Sequence, residues 1–165
     1  AGAARPADLA PEAWHRILDV NLKAMWQMCR QAVPVMADQG CGAIVNISSL
    51  AAVAAATTLT AYKVSKAGVN ALTQTLATAY AAQGIRVNAI MPGLIDTPMG
   101  VDAPARAFGG SRERYAEARA RHVPLGHQGT AWDVAHAALY LASDEAAFVP
   151  GVVLPVDGGQ SAMVG

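Results

Sequence analysis

The chain has 165 residues, 53% of them apolar and 15% charged, with twelve Lys and Arg against twelve Asp and Glu. That length fits one domain with a buried core, and a formal net charge of zero with no run of like charge gives no electrostatic case for nucleic acid or an acidic membrane surface. No apolar stretch reaches the ~18 uninterrupted residues of a membrane-spanning helix, no charged-then-apolar leader is seen, and Cys29 and Cys41 form neither a disulfide framework nor a metal spacing, as expected of reduced thiols in a cytoplasmic protein.

Residues 1–10 read as a loop. From Pro11 to about Ala37, Trp14, Ile17, Leu18, Leu22, Met25 and Cys29 fall at helical spacings of three and four. Pro11 suits a first helical position, and Pro34 is expected to bend the last turn. Met25, Met28 and Met36 read as packing residues. The run Ala43-Ile44-Val45-Asn46-Ile47-Ser48 is short, apolar and β-branched, so it reads as a buried strand. Leu50 to Leu59 lacks a period and reads as a loop over a site. A second helix is expected from about Tyr62 to Ala82, ended by Gly84, then a strand from Ile85 to Met91 stopped by Pro92-Gly93.

Residues 94–129 read as irregular, with a short charged helix near Arg112–Arg121, in the manner of a lid. Residues 94–121 are expected to shape the pocket, mixing Met99, Val101 and Phe108 with Arg106, Arg112 and Arg114; the arginines read as a solvated charged helix, with contact to an anionic substrate as the alternative. Thr130 with Asp133 three residues on has the form of a capping box opening a helix through Leu141. Gly151 to Val156 reads as a last strand. Helices alternating with strands imply a parallel sheet in an α/β layer fold. Ligands of such sheets sit beyond the carboxyl ends of the strands, where Ser48-Ser49 and Pro92-Gly93 fall.

The chemistry concentrates in Thr60-Ala61-Tyr62-Lys63-Val64-Ser65-Lys66, with Ser49 thirteen residues before Tyr62. Positions four apart share a helix face, so Tyr62 and Lys66 are neighbours and Lys63 points elsewhere, toward solvent. A lysine beside a phenol favours the phenolate, and a tyrosine tuned in this way exchanges a proton near neutral pH. A nearby serine hydroxyl can hold the oxygen to or from which that proton moves. The set suits alcohol–carbonyl interconversion. Asn21 sits inside a helix, where asparagine is a poor former and needs a reason. Asn46 and Asn88 lie within strands and read as structural. His122 and His127 lack the partners of a metal site, and no Gly-x-Ser-x-Gly elbow supports a serine hydrolase.

In these residues the chain resembles the short-chain dehydrogenases/reductases. Asp19-Val20-Asn21-Leu22 is similar to the family's asparagine helix, and Ile44-Val45-Asn46-Ile47-Ser48-Ser49 to its serine strand. Tyr62 and Lys66 match its Tyr/Lys pair, and Asn88 to Thr97 its nicotinamide-lining segment. Pro124-Leu125-Gly126 and Val156-Asp157-Gly158-Gly159 match its closing features. Ala52 departs from the glycine common in the serine loop, and His127 from the usual basic residue.

The resemblance implies the C-terminal part of a Rossmann-like, doubly wound parallel sheet, about three strands with flanking helices in a single partial domain. It implies an NAD(P)-dependent oxidoreductase acting on a small-molecule alcohol or carbonyl. Catalysis falls to Asn21, Ser49, Tyr62 and Lys66, with Tyr62 as acid/base. Tyr62, Lys66, Pro92, Gly93, Ile95 and Thr97 contact the cofactor, NAD or NADP; Lys66 holds the ribose hydroxyls, and Asn21 fixes a water in a proton relay to Lys66. The resemblance further implies a homo-oligomer, dimer or tetramer, built partly by the first two helices, and a turn near a subunit contact at Asp157-Gly158-Gly159.

The family's glycine-rich turn, which holds the pyrophosphate at a helix N-terminus, has no match here. Ala1-Gly2 looks like the tail of the family's Asn-Asn-Ala-Gly motif. The expectation is therefore a C-terminal portion of a longer enzyme, with little activity from the 165 residues alone. A non-catalytic fragment acting as an oligomerisation module, with the strand at Ala43–Ser48 as an open edge, is the alternative. A truncated piece that folds poorly alone is a third reading.

Overall fold

The structure is a computed structural model, and it describes residues 5–54, 58–107 and 109–163. Ala1-Gly2 and Phe108 lie outside the described residues, as does part of the loop after the serines. Three strands form one parallel sheet in the order β1 (Gly42–Ile47), β2 (Ile85–Pro92), β3 (Val153–Val156). Gly42 pairs with Ile85 and Ile47 with Ile90, while Ala89 pairs with Val153 and Pro92 with Val156.

β2 is central and nearly all of it is buried, as expected of a strand covered on both faces. Side chains alternate across it. Ile85 and Val87 pack with Val33, Ala77, Ile44 and Leu76, so that face meets α2 (Ala24–Gln39) and α3 (Thr60–Tyr80). Arg86 faces the other layer. Its two terminal nitrogens donate to the carbonyls of Leu141 (2.8 Å) and Ser143 (2.9 Å), holding the C-terminal end of α6 (Ala131–Ala142). A guanidinium there satisfies helix-end carbonyls and complements the helix dipole. Helices on both faces of a parallel sheet make the doubly wound arrangement expected from the alternation of elements.

The first helical segment is not one uniform helix. α1 (Pro11–Leu18) and α2 are joined by a π-type turn at Asp19–Lys23, and α2 runs past Pro34 to Gln39 before ending at Gly40, whose φ is 70°. Trp14, Ile17, Leu18, Leu22 and Met25 are half-buried and Cys29 is buried, as the spacing predicts. Met28 does not pack within this chain: it is 72% exposed on α2.

α3 starts two residues earlier than expected, at Thr60, and buries the stripe Ala61, Ser65, Val69, Thr73 and Ala77 at every fourth position. Its small side chains let the helix lie close to β2. Asn46 in β1 donates to Thr73 Oγ1 (2.9 Å), and Asn88 in β2 bridges the Val149 carbonyl (2.6 Å) and the Val152 amide (2.9 Å). Both strand asparagines therefore tie elements together. The segment 94–129 holds more order than its sequence suggests: a π-type turn at Pro98–Asp102, α4 (Ala103–Ala107) and α5 (Arg112–Ala120). The Thr130/Asp133 capping box is formed in both directions at the start of α6. Its Asp133 carboxyl is held below its usual range by the Thr130 amide and hydroxyl. Cys29 and Cys41 are free, and among the described residues no helix is long and apolar enough to cross a membrane.

Candidate active site

The carboxyl ends of β1 and β2 open onto a cavity of about 400 Å³. Ser49, Tyr62, Lys66, Pro92, Gly93, Ile95 and Thr97 all line it. Seven of the eight residues singled out in the sequence thus meet in one crevice. The eighth, Asn21, lines a neighbouring cavity of about 550 Å³ together with Tyr62, so Tyr62 stands between the two.

Local folding explains the placement. Ser48 and Ser49 follow the last residue of β1, and their roles differ. Ser48 is buried and its hydroxyl donates to the Lys66 carbonyl (3.2 Å), pinning the strand end to α3. Ser49 has extended backbone (φ −165°) and its Oγ accepts from the Ala51 amide (3.1 Å), capping the short turn Leu50–Ala52. The Ser49 hydroxyl hydrogen has no acceptor among the described residues, which leaves it available to a ligand oxygen.

Lys66 Nζ donates to the Ile47 carbonyl (2.8 Å) and stands 5.8 Å from the centre of the Tyr62 ring. Burial pushes the Lys66 ammonium below its usual value, since a charge is less stable away from water. Lys63 departs from expectation. It is half-buried, and its Nζ is hydrogen-bonded to the Ala54 carbonyl, so it anchors the loop after the serines.

Asn21 occupies the π-type turn, and its amide donates to Ser65 Oγ (3.2 Å). Ser65 is fully buried and its hydroxyl donates to the Tyr62 carbonyl (2.6 Å). The link from Asn21 to the tyrosine helix thus runs through Ser65, which sequence reasoning missed. The available signal was a polar residue, like Thr73, on the 61/65/69/73/77 stripe that also carries Ala61, Val69 and Ala77.

Pro92 ends β2, and the Gly93 amide donates to the Val156 carbonyl (3.0 Å). A β-carbon on Gly93 would stand 2.6 Å from Asp157 Cβ and 2.4 Å from Gln160 Oε1. The space that glycine leaves is therefore filled by the turn after β3. Gln160 Oε1 accepts from the Leu94 amide (2.9 Å), and its Nε2 donates to the His122 carbonyl (3.2 Å). Asp157 accepts from the amides of Gly159 (2.9 Å) and Ser161 (2.7 Å). Burial alone would raise the Asp157 carboxyl, but these hydrogen bonds outweigh it and hold the group below the usual carboxylate range. The Asp-Gly-Gly signature thus braces the floor of the crevice.

Thr97 Oγ1 accepts from the Gly100 amide (3.1 Å), capping the Pro98–Asp102 turn. The crevice also admits Met99, from the segment expected to shape it, and Arg119, which the sequence did not single out. Ile47, Pro92 and Ile95 give the cavity apolar lining alongside the hydroxyl-bearing residues Ser49, Tyr62 and Thr97.

A family model described as enoyl-(acyl carrier protein) reductase matches residues 1–161. This chain belongs to the short-chain dehydrogenase/reductase family. It is 43% identical over 151 residues to 3beta-hydroxysteroid dehydrogenase 1 of Eggerthella lenta, covering 91% of this chain and 56% of that protein. A structure described as a short-chain dehydrogenase/reductase from Burkholderia xenovorans superposes with a TM-score of 0.92 at 39% identity, over 99% of this chain and 62% of the other. Gluconate 5-dehydrogenase of Burkholderia cenocepacia, solved with NADP and tartrate, gives a TM-score of 0.88 at 29% identity over 99% and 62%. The chain therefore spans 56–62% of the length of these relatives.

Proposed function

We propose that the crevice carries out NAD(P)-dependent interconversion of a secondary alcohol and a ketone on a small molecule. The observation that carries this reading is the convergence of Ser49, Tyr62 and Lys66 with Pro92, Gly93, Ile95 and Thr97 on one cavity at the strand ends. A nicotinamide bound against Pro92, Ile95 and Thr97 supplies the hydride acceptor or donor. Ser49 donates its uncommitted hydroxyl to the substrate oxygen. Tyr62 takes the alcohol proton in oxidation and returns one in reduction. Lys66, fixed by the Ile47 carbonyl, places positive charge beside the Tyr62 ring and steadies negative charge there. Asn21 acts from the second cavity through Ser65.

Serine substitution tests the reading. With the protein at the length isolated from its source, Ser49→Ala lowers kcat for alcohol oxidation at least ~100-fold, the scale of one oxyanion donor. Ser48→Ala lowers stability by about 1 kcal/mol, one hydrogen bond, with much smaller effect on kcat. Equal losses of kcat from the two variants would overturn the assignment. Turnover by the 165 residues alone is weak in this reading, because the sequence provides no glycine-rich turn for the dinucleotide phosphates.

A specific observation favours an oligomer as well: Val20, Trp26, Met28 and Val35 are exposed along the first helical segment. In this reading they meet a second copy. Size-exclusion chromatography with and without NAD(P)H separates this from the module reading, since oligomers that form without any cofactor binding favour a non-catalytic piece.

A further inference from the structure

Arg119 comes from α5, yet it lines the same cavity as Ser49, Tyr62 and Lys66. Among the described residues, no acidic residue lines that cavity. The arginine is held in place: its Nε donates to Gln128 Oε1 (2.6 Å), while Gln128 Nε2 donates to the Ala116 carbonyl (3.3 Å). Its guanidinium lies 5.9 Å from the Tyr115 ring centre. Nη2 stands 3.4 Å from where a β-carbon on Gly100 would be, which puts the fork beside the turn that Thr97 caps.

The other arginines of this segment do not line the cavity, and Arg114 and Arg121 are exposed. Arg112 is paired with Asp96 and Asp102, and Arg106 donates to the Asp102 carbonyl (3.2 Å). Arg119 differs in lining the cavity, and among the described residues it has no carboxylate partner and neither Nη makes a hydrogen bond. A half-buried guanidinium with its Nε already committed presents two adjacent Nη donors in a plane, the shape that meets a carboxylate. Partial burial strengthens such a contact.

We propose that Arg119 is the residue that selects the substrate, and that the substrate bears a carboxylate alongside its alcohol or ketone. Gln128 is the positioning residue that aims it. This rests on the dehydrogenase reading of the same crevice. A guanidinium could equally meet the phosphates of a dinucleotide, and the test separates the two sources of negative charge.

The experiment is calorimetric titration with benzoate and with its neutral counterpart benzamide, using the protein at the length isolated from its source. The wild type binds benzoate at least ~10-fold tighter than benzamide, as expected when one charge-assisted contact is gained. Arg119→Gln removes that preference and leaves benzamide affinity and NADPH affinity unchanged. Equal affinity for the two probes in the wild type overturns the proposal, as does a benzoate preference that survives Arg119→Gln. Loss of NADPH affinity in Arg119→Gln with the benzoate preference intact reassigns the arginine to the dinucleotide. Should Arg119→Gln fail to fold, Arg119→Lys keeps the charge but not the planar fork, and it retains only part of the preference. None of these readouts needs turnover. A failure of the dehydrogenase reading would appear separately, as no NAD(P)H-linked turnover with the benzoate preference intact.

Discussion

Replacing Gly93 by alanine probes the joint between the crevice floor and the turn after β3. The added β-carbon would stand 2.6 Å from Asp157 Cβ, 2.8 Å from Asp157 Cα and 2.4 Å from Gln160 Oε1. Ordinary contact begins at 3.4 Å, so the turn must withdraw by roughly 0.6–0.8 Å. Gln160 can swing aside, but it then loses its bond from the Leu94 amide. Asp157 cannot follow freely, because its carboxylate is tied to the amides of Gly159 and Ser161. Overpacking of this kind costs about 1–3 kcal/mol, and the lost hydrogen bond adds about 1 kcal/mol. Gly93→Ala should therefore lower the urea-unfolding free energy by about 2–4 kcal/mol. Gly110→Ala is the control: among the described residues no atom lies within 4 Å of its β-carbon position, and its φ is not positive. It should change stability by less than ~0.5 kcal/mol. A Gly93→Ala loss as small as the control's would refute the view that this glycine exists for close packing against Asp157.

Asp157 should also set part of the acid limb of stability. Its folded-state value lies below the ordinary 3.8, so the folded form releases the proton more readily than the unfolded one. The stabilisation is complete above the ordinary value and disappears as pH falls through the lowered one. Urea unfolding of Asp157→Asn and wild type should differ most near neutral pH and converge in strong acid; a gap that does not depend on pH would contradict this. Arg86→Met should cost about 2–4 kcal/mol by stripping two charge-assisted bonds from the end of α6. Arg86→Lys should restore only part of the loss in the same urea assay, because a lysine lacks the fork that reaches both Leu141 and Ser143.

Much of this architecture was legible because it rests on local patterns. The β-branched runs gave β1 and β2, and Thr130 with Asp133 gave the start of α6. The helical spacing of residues 14 to 29 placed the right side chains inward. What escaped was whatever depends on contacts distant in sequence. The π-type turn around Asn21 shows only as an awkward asparagine until Ser65, forty-four residues on, provides its partner. Lys63 looks solvated on a helical wheel, yet the Ala54 carbonyl reaches it from the preceding loop. Gly93 reads as a glycine that lets backbone approach a flat ring, and only the fold shows Asp157 occupying the space beside it. Arg119 hides in a charged helix whose periodicity gives no hint that one of its cations enters the crevice. Short apolar windows cannot report such tertiary placements, since propensity yields to packing wherever the two differ.

The most direct test of the central claim is the rate of secondary-alcohol oxidation by Tyr62→Phe against wild type, followed by nicotinamide absorbance with the protein at the length isolated from its source. Loss of the hydroxyl proposed to exchange the substrate proton predicts a fall of at least ~100-fold in kcat with the fold retained. A Tyr62→Phe enzyme that turns over within a few-fold of wild type would contradict the account.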